Sequence, residues 1–397
     1  MSLLLKLYTK VVESMYLKDK INSAIDKISQ QILRYNEHRK LFQNLFRSVK
    51  NSLNPSEFPV SFGFKTTDKS FVVNCPETNI EGLKIAGVDG GIIHRSLNFF
   101  DIALIRAVGV LFYYMPKVNP IVRYFPEENP FPDIVTSIEP LDQKEIESLI
   151  SIWRMQKEIK CAISLVKEDL PDIIILDGSV MPYIDYKMIN SSEFLVHQYL
   201  NLKTLYRQLY SLCQKHHTAL CGIVKDSRSA ILTEKISHLL PHLSKLKEFE
   251  KLLEIDYRPI IRQLRDTDLL FKVLDQNERT FEFYLSNFNE KFDGNLPDFD
   301  IHCFYLKTAE YDTPLRIEFP ILFSNPQDLS QSISALVISV SKYNPEYGLP
   351  SVIIEADARA RLQEVDADIL IDEIASKVGY SSFSLQKRRA RSPFNKR

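Results

Sequence analysis

Glycine is scarce in this chain, with 11 in 397 residues. Loops that cradle nucleotide phosphates are built from closely spaced glycines, because only a residue without Cβ lets the backbone approach a phosphate. Neither GxGxxG nor GxxxxGKS/T occurs, which argues against dinucleotide-binding and P-loop chemistry. Long apolar runs are missing too. No stretch of about eighteen uncharged apolar residues exists, so nothing reads as a membrane span. The opening MSLLLKLYTKVVESMYLKDK is broken by Lys6 and Lys10 and lacks a small-residue cleavage site, unlike a signal peptide. The five cysteines, at 75, 161, 213, 221 and 303, include no CxxC pair. A dispersed, odd set suits a reducing cytoplasm better than a disulfide framework. Charge of one sign is also lacking: the formal net charge is −1. Nucleic-acid binding must therefore come from local patches.

Hydrophobic residues make up 45% of the chain, enough for a sizeable core. Residues 1–55 read as an N-terminal helical segment, with Ile21, Ile25, Ile28 and Ile32 forming a stripe at helical spacing. The plain expectation packs that stripe on its own domain; the sharper one makes it a dimer or partner contact. From residue 56 to 380 strands and helices mix. LKIAGVDGGIIH, NFFDIALIRAVGVLFYY and NPIVRYFP read as a meander, followed by a helix from about Asp142 to Val166. DIIILDGS reads as a buried strand, then a helix over 192–215, then the strand in TALCGIVKDS. That order predicts an α/β fold with a mixed sheet flanked by helices. A helical insertion is expected over about 230–300, closing helices over 327–343 and 352–378, and a solvated basic tail over 381–397. The tail sequence SLQKRRARSPFNKR holds six basic residues and no acid, the makings of a non-specific phosphate contact.

Two apolar runs, IAGVDGGII and IIILDGSVM, each stop on Asp-Gly. As isolated dipeptides these are ordinary turn starters. As the ends of neighbouring strands they would converge Asp89 and Asp177 in a crevice at the sheet's edge. Paired carboxylates repel unless protonated or bridged by a cation, and hard oxygen donors favour Mg²⁺ or Mn²⁺. Such a cation serves phosphodiester hydrolysis. Glu158, on the helix before the second strand, is a third candidate, with Glu145 and Glu168 as competitors on that helix. Further on, Glu355, Asp357 and Arg359 are expected at the start of a helix, where carboxylates also complement the dipole. Asp357 near the first pair would complete a metal cage. Lys225, Ser227 and Arg228 in GIVKDSRS follow a strand end and are candidates for holding a phosphate. The cluster CQKHHTALC places Cys213, His216, His217 and Cys221 close together, but without the separated ligand pairs of common zinc sites.

AGVDGG, a helix carrying Arg154 and Glu158, then IIILDGS, GIVKDSRS and YGLPSVIIEADARARL, in that order and spacing, resemble the NurA family of DNA-end-processing nucleases over residues 80 to 378. The resemblance implies an RNase H-like fold, a homodimer, and a nuclease dependent on Mn²⁺ or Mg²⁺. It also implies 5′-to-3′ exonuclease and single-strand endonuclease activity, with a HerA-type hexameric helicase-translocase as partner in double-strand break repair. It maps Asp89, Asp177 and Glu158 onto the family's metal ligands. Many members carry Tyr-Pro and later Ala-His in the last motif. Here Gly348 follows Tyr347 and Asp357 stands where the histidine would. An aspartate ligates a hard cation but does not reproduce a neutral imidazole donor. Tyr347 is then expected to stack on or orient the DNA strand. Two other readings compete: a non-catalytic NurA-like partner of a translocase, and an actin-like-fold ATPase, whose second glycine-rich phosphate hairpin this chain lacks.

Overall fold

The structure, a computed structural model, describes all residues except 1–2, 60–63, 65, 185, 244–248, 250–256, 288–298 and 388–397. Its eleven strands in chain order are β1 (Val72–Asn74), β2 (Lys84–Ser96), β3 (Asp101–Tyr113), β4 (Ile121–Phe125), β5 (Asp133–Ser137), β6 (Ile173–Asp177), β7 (Ala219–Val224), β8 (Glu278–Thr280), β9 (Phe283–Asn287), β10 (Asp300–Lys307) and β11 (Leu315–Pro320). The helices are α1 (Leu3–Val49), α2 (Gln143–Asp169), α3 (Tyr186–Ile189), α4 (Glu193–His216), α5 (Ile231–Leu243), α6 (Tyr257–Ile261), α7 (Asp266–Val273), α8 (Pro326–Ser341), α9 (Ser351–Ala360), α10 (Glu364–Lys377) and α11 (Ser382–Leu385).

All strands join one sheet in the order β1-β8-β10-β11-β7-β6-β2-β3-β4, with β5 on the far half of β3 and β9 beside β10. The expected meander is present: β2 pairs β3 antiparallel along its whole length, and β3 pairs β4. The strand β6 lies parallel between β2 and β7, and β11 returns antiparallel to β7. Because side chains alternate along a strand, each central strand feeds two cores. Ala86, Val88, Ile174 and Leu176 pack under α2 and α4. Ile85, Ile173, Ile175 and Ile223 pack under α8 and α9. Both faces being covered is why these strands read as continuous apolar runs rather than alternating ones.

The helix boundaries follow local chemistry. Asp142 caps α2 through the backbone N–H groups of Lys144 and Glu145, and Glu145 closes a capping box, the pattern that satisfies a helix's first free donors. Pro171 stands just beyond α2, where Leu170 has turned left-handed. A third core, distinct from the sheet's two, joins the end of α1 (Phe42, Phe46, Val49) to α5, α6 and α7.

Several expectations need correction. The chain does not turn at Asp89: β2 runs on through Gly90 and Gly91 to Ser96, because every residue of it has a partner on β3. The stripe on α1 does not pack on the domain: Ile21, Ile25, Ile28 and Ile32 are each more than half exposed. The last third of α1 is held by hydrogen bonds from Tyr35 and Gln43 to Asp268. The inserted helices end at Val273 and β8 follows inside the range expected to be helical, while β9 lies in TFEFYLSNF, a segment that reads as a strand. The closing helix is two helices, α9 and α10, since Arg361 is extended and Gln363 and Asp366 form a new capping box. Most of the expected basic tail, residues 388–397, lies outside the described residues. Its first residues form α11, and Gln386 bridges Leu97. No described helix is long and apolar enough to cross a membrane.

Candidate metal centre

The parallel register of β2 and β6 sets Val88 opposite Leu176, so the next residues along, Asp89 and Asp177, emerge side by side on the face under α9. There Asp357 joins them. One carboxylate oxygen from each of the three lies within 4.8 Å of the others. Asp357 sits in the second half of α9 rather than at its start, so the dipole-capping role does not apply. That helix end is held by Arg106 on β3, whose guanidinium donates to the carbonyls of Arg359 and Arg361. Glu355 is engaged by Tyr124 and Arg359 and faces away from this role.

Like charges at that separation repel by roughly 3–4 kcal/mol at an effective dielectric of about 20. The titration reflects the crowding. Burial, reinforced by the Asp177 charge, pushes the Asp89 carboxyl up to about 7. Burial also raises Asp177, against the pull of Lys225. The Lys225 ammonium is 2.6 Å from Asp177. Burial works against its charge, but the Asp177 carboxylate outweighs that and holds it above the usual range. Arg361, exposed, lies 3.6 Å from Asp357, so three crowded carboxylates share Lys225 and one solvent-screened guanidinium, hard oxygen donors that fit a divalent metal ion.

Glu158 approaches from the other face of the sheet, from α2. It is pushed up to about 8 by burial, offset by Arg154 and reinforced by the charges of Asp89 and Asp177. Arg154 donates to it at 2.9 Å. A Cβ on Gly90 would lie 2.5 Å from Glu158 Oε1, so the glycine after Asp89 is what admits this carboxylate to the strand. Its oxygens are not among the three that cluster. Its competitors fall away: Glu145 closes the capping box and Glu168 is exposed.

The loop after β7 divides its candidates. Lys225 enters the site, and Arg228, three residues further along the loop, is exposed. Ser227 is turned inward, 6% exposed, accepting from Ser229 N–H and from Arg316, which leaves it unavailable to a substrate. Tyr347 stands in the turn before α9 with its ring exposed. The zinc alternative fails: Cys213 packs in one core and Cys221 in the opposite one, and the aspartate trio is the metal-type cluster found among the described residues. Unforeseen from the sequence are Arg106 and a buried pair, Arg316 and Glu318. Two charges inside the short strand LRIEFP were the available signal.

A cavity of about 570 Å³ opens next to the trio between α2 and the loop after β6, lined by Arg154, Met155, Glu158, Asp177, Met181 and Tyr183 among others. A mixed sheet with helices on both faces, and acidic side chains gathered where parallel strands meet a crevice, define an α/β protein with a metal-type cluster at its strand ends. The NurA domain family matches residues 83–362, well over half of the chain, and the chain belongs to that family. The crystal structure of the NurA nuclease from Sulfolobus solfataricus has the same fold, with a TM-score of 0.53 at 16% identity over 91% of this chain and 97% of that one. A crystal structure of NurA with manganese scores 0.38 at 13% identity, covering 77% of this chain and 91% of that one. Endonuclease V from Bacillus subtilis scores 0.30 at 11% identity, covering 80% and 90%. No curated protein sequence matches the chain.

Proposed function

We propose that the chain hydrolyses DNA phosphodiesters at a divalent-cation site formed by Asp89, Asp177 and Asp357, with Glu158 as the fourth carboxylate and Mn²⁺ or Mg²⁺ as the cation. The observation that carries this reading is the convergence of three carboxylate oxygens within 4.8 Å around a single ammonium. Bound there, the cation would activate water and offset charge developing on phosphorus oxygens. The chain's own residues do the rest. Lys225 pairs with Asp177 and, once that carboxylate is shared, is free to hold a phosphate oxygen. Arg228, exposed at the mouth, meets a flanking phosphate. Arg154 fixes the Glu158 carboxyl, which holds it ready for the cation beside Asp89 and Asp177.

Finer readings extend this one. Processing of DNA ends in double-strand break repair, by 5′-to-3′ exonuclease and single-strand endonuclease action with a HerA-type translocase, is the family-level expectation. The exposed isoleucine face of α1 supports a homodimer, and a cytoplasmic location suits five free, buried cysteines. The exposed ring of Tyr347, before α9, supports its reading as a residue that stacks on or orients a DNA strand. The test is cleavage of labelled single- and double-stranded DNA with Mn²⁺ and with chelator. Wild type should cut only with the metal, and Asp177→Ala should not cut at all. Wild-type cleavage by Asp177→Ala would remove that residue from the site.

A further inference from the structure

On the face of the sheet opposite the aspartate trio, two site loops rest on one buried ion pair. Arg316 and Glu318 both sit on β11, two residues apart and so on the same face, with Arg316 Nη2 2.7 Å from Glu318 Oε1. Their side chains are 9% and 0% exposed. Glu318 pairs across the sheet with Gly222 of β7. A Cβ on Gly222 would lie 2.3 Å from Gly178 O and 2.9 Å from Val180 N. That missing side chain lets the loop after β6 sink onto the sheet beside Glu318. There Glu318 accepts from the Ser179 hydroxyl and from the Val180 N–H. Tyr210 donates to Val180 O at 2.5 Å. The other half of the pair reaches the other loop. Arg316 donates to Ser227 Oγ at 3.3 Å and lies over the Tyr183 ring.

We propose that Glu318 and Arg316 are positioning residues that clamp the loops bearing Asp177 and Lys225, so that the two site groups keep their mutual register. Ser179 follows Asp177 by two residues, and Ser227 follows Lys225 by two. Each loop is thus fixed immediately beyond its functional side chain, by partners of one pair on one strand. A buried ion pair is seldom retained for stability alone, because desolvation consumes most of its attraction. Here Glu318 Oε2 accepts from one loop and Arg316 Nη1 donates to the other. Groups that orient a metal ligand from behind change affinity about 10–100-fold when removed. The proposal rests on the reading that Asp177 is a ligand.

The experiment uses the full chain, with Mn²⁺ affinity measured by titration calorimetry at a temperature where each variant is folded, and with KM and kcat for single-stranded DNA. Ser179→Ala removes the hydroxyl held by Glu318; Ser179→Thr retains it. The expected result is Mn²⁺ binding about tenfold weaker and kcat reduced with unchanged KM for Ser179→Ala, and restoration of both by Ser179→Thr. Glu318→Gln should weaken Mn²⁺ binding in the same direction. A folded Ser179→Ala protein with wild-type Mn²⁺ affinity and kcat overturns the clamp. Asp177→Asn is the control that separates the two readings. If it loses Mn²⁺ while Ser179→Ala does not, only the clamp fails; if it binds Mn²⁺ as wild type does, the ligand role of Asp177 fails and takes the clamp with it.

Discussion

Replacing Asp89 by Asn should disable the site and, without metal, stabilise the fold. Asp89 is 6% exposed, and burial with the Asp177 charge raises its carboxyl from the ordinary 3.8 to about 7. An acid whose folded-state pKa lies above its unfolded value binds more protons when folded. Stability therefore falls as pH rises from about 4 through about 7, and is lowest above that window. The full displacement corresponds to about 4 kcal/mol at pH 8. Asp177 shares the same repulsion, so relief at either residue overlaps with relief at the other, and about 2 kcal/mol is the expected net gain. For a chain of this length that is about 2–3 °C in melting temperature. The assay is thermal unfolding of wild type and Asp89→Asn, in chelator and in Mn²⁺, from pH 5 to 8. In chelator the variant should melt higher at pH 8, with the gap closing toward pH 5. In Mn²⁺ the order should invert, because ligand binding stabilises only the protein that retains its site. An Asn variant that melts lower than wild type in chelator at pH 8 would refute the electrostatic account.

Gly90→Ala should leave the protein folded but cut the cleavage rate about a hundredfold, since the added methyl displaces Glu158; unchanged kinetics would separate Glu158 from the reaction. Lys225→Gln should lower stability in chelator at pH 8, where Asp177 loses its ammonium partner, and weaken DNA binding in Mn²⁺; fluorescence anisotropy with labelled single strands reads the second effect. Ile25→Glu together with Ile32→Glu, on the exposed face of α1, should convert a dimer to a monomer in light scattering without lowering the melting temperature. A dimer that survives both substitutions places the interface elsewhere.

Much of the fold is readable from short-range pattern. Capping chemistry at Asp142, apolar runs in β6 and β7, and helical spacing in α4 and α8 put those elements within a few residues of where they lie. The misreadings share a cause. Asp89-Gly90 looks like a turn because that dipeptide starts turns elsewhere; along β2, thirteen cross-strand pairings with β3 override it. The break between α9 and α10 has no proline or glycine to announce it. The α1 stripe has the period of a packed helix, yet the rest of the domain does not reach it.

By itself the sequence determined which segments form strands and helices, which residue types are available for metal chemistry, and which nucleotide-binding devices are missing. These depend on neighbours a few residues apart. Only the tertiary structure decided that Asp357, 180 residues beyond Asp177, completes the trio, that Glu158 approaches through the gap at Gly90, and that Ser227 turns inward. Those outcomes follow from the register of β2 on β6 and from how α9 and α2 lie across opposite faces of the sheet. Register and packing are sums over many weak contacts between distant residues, and no local pattern carries them.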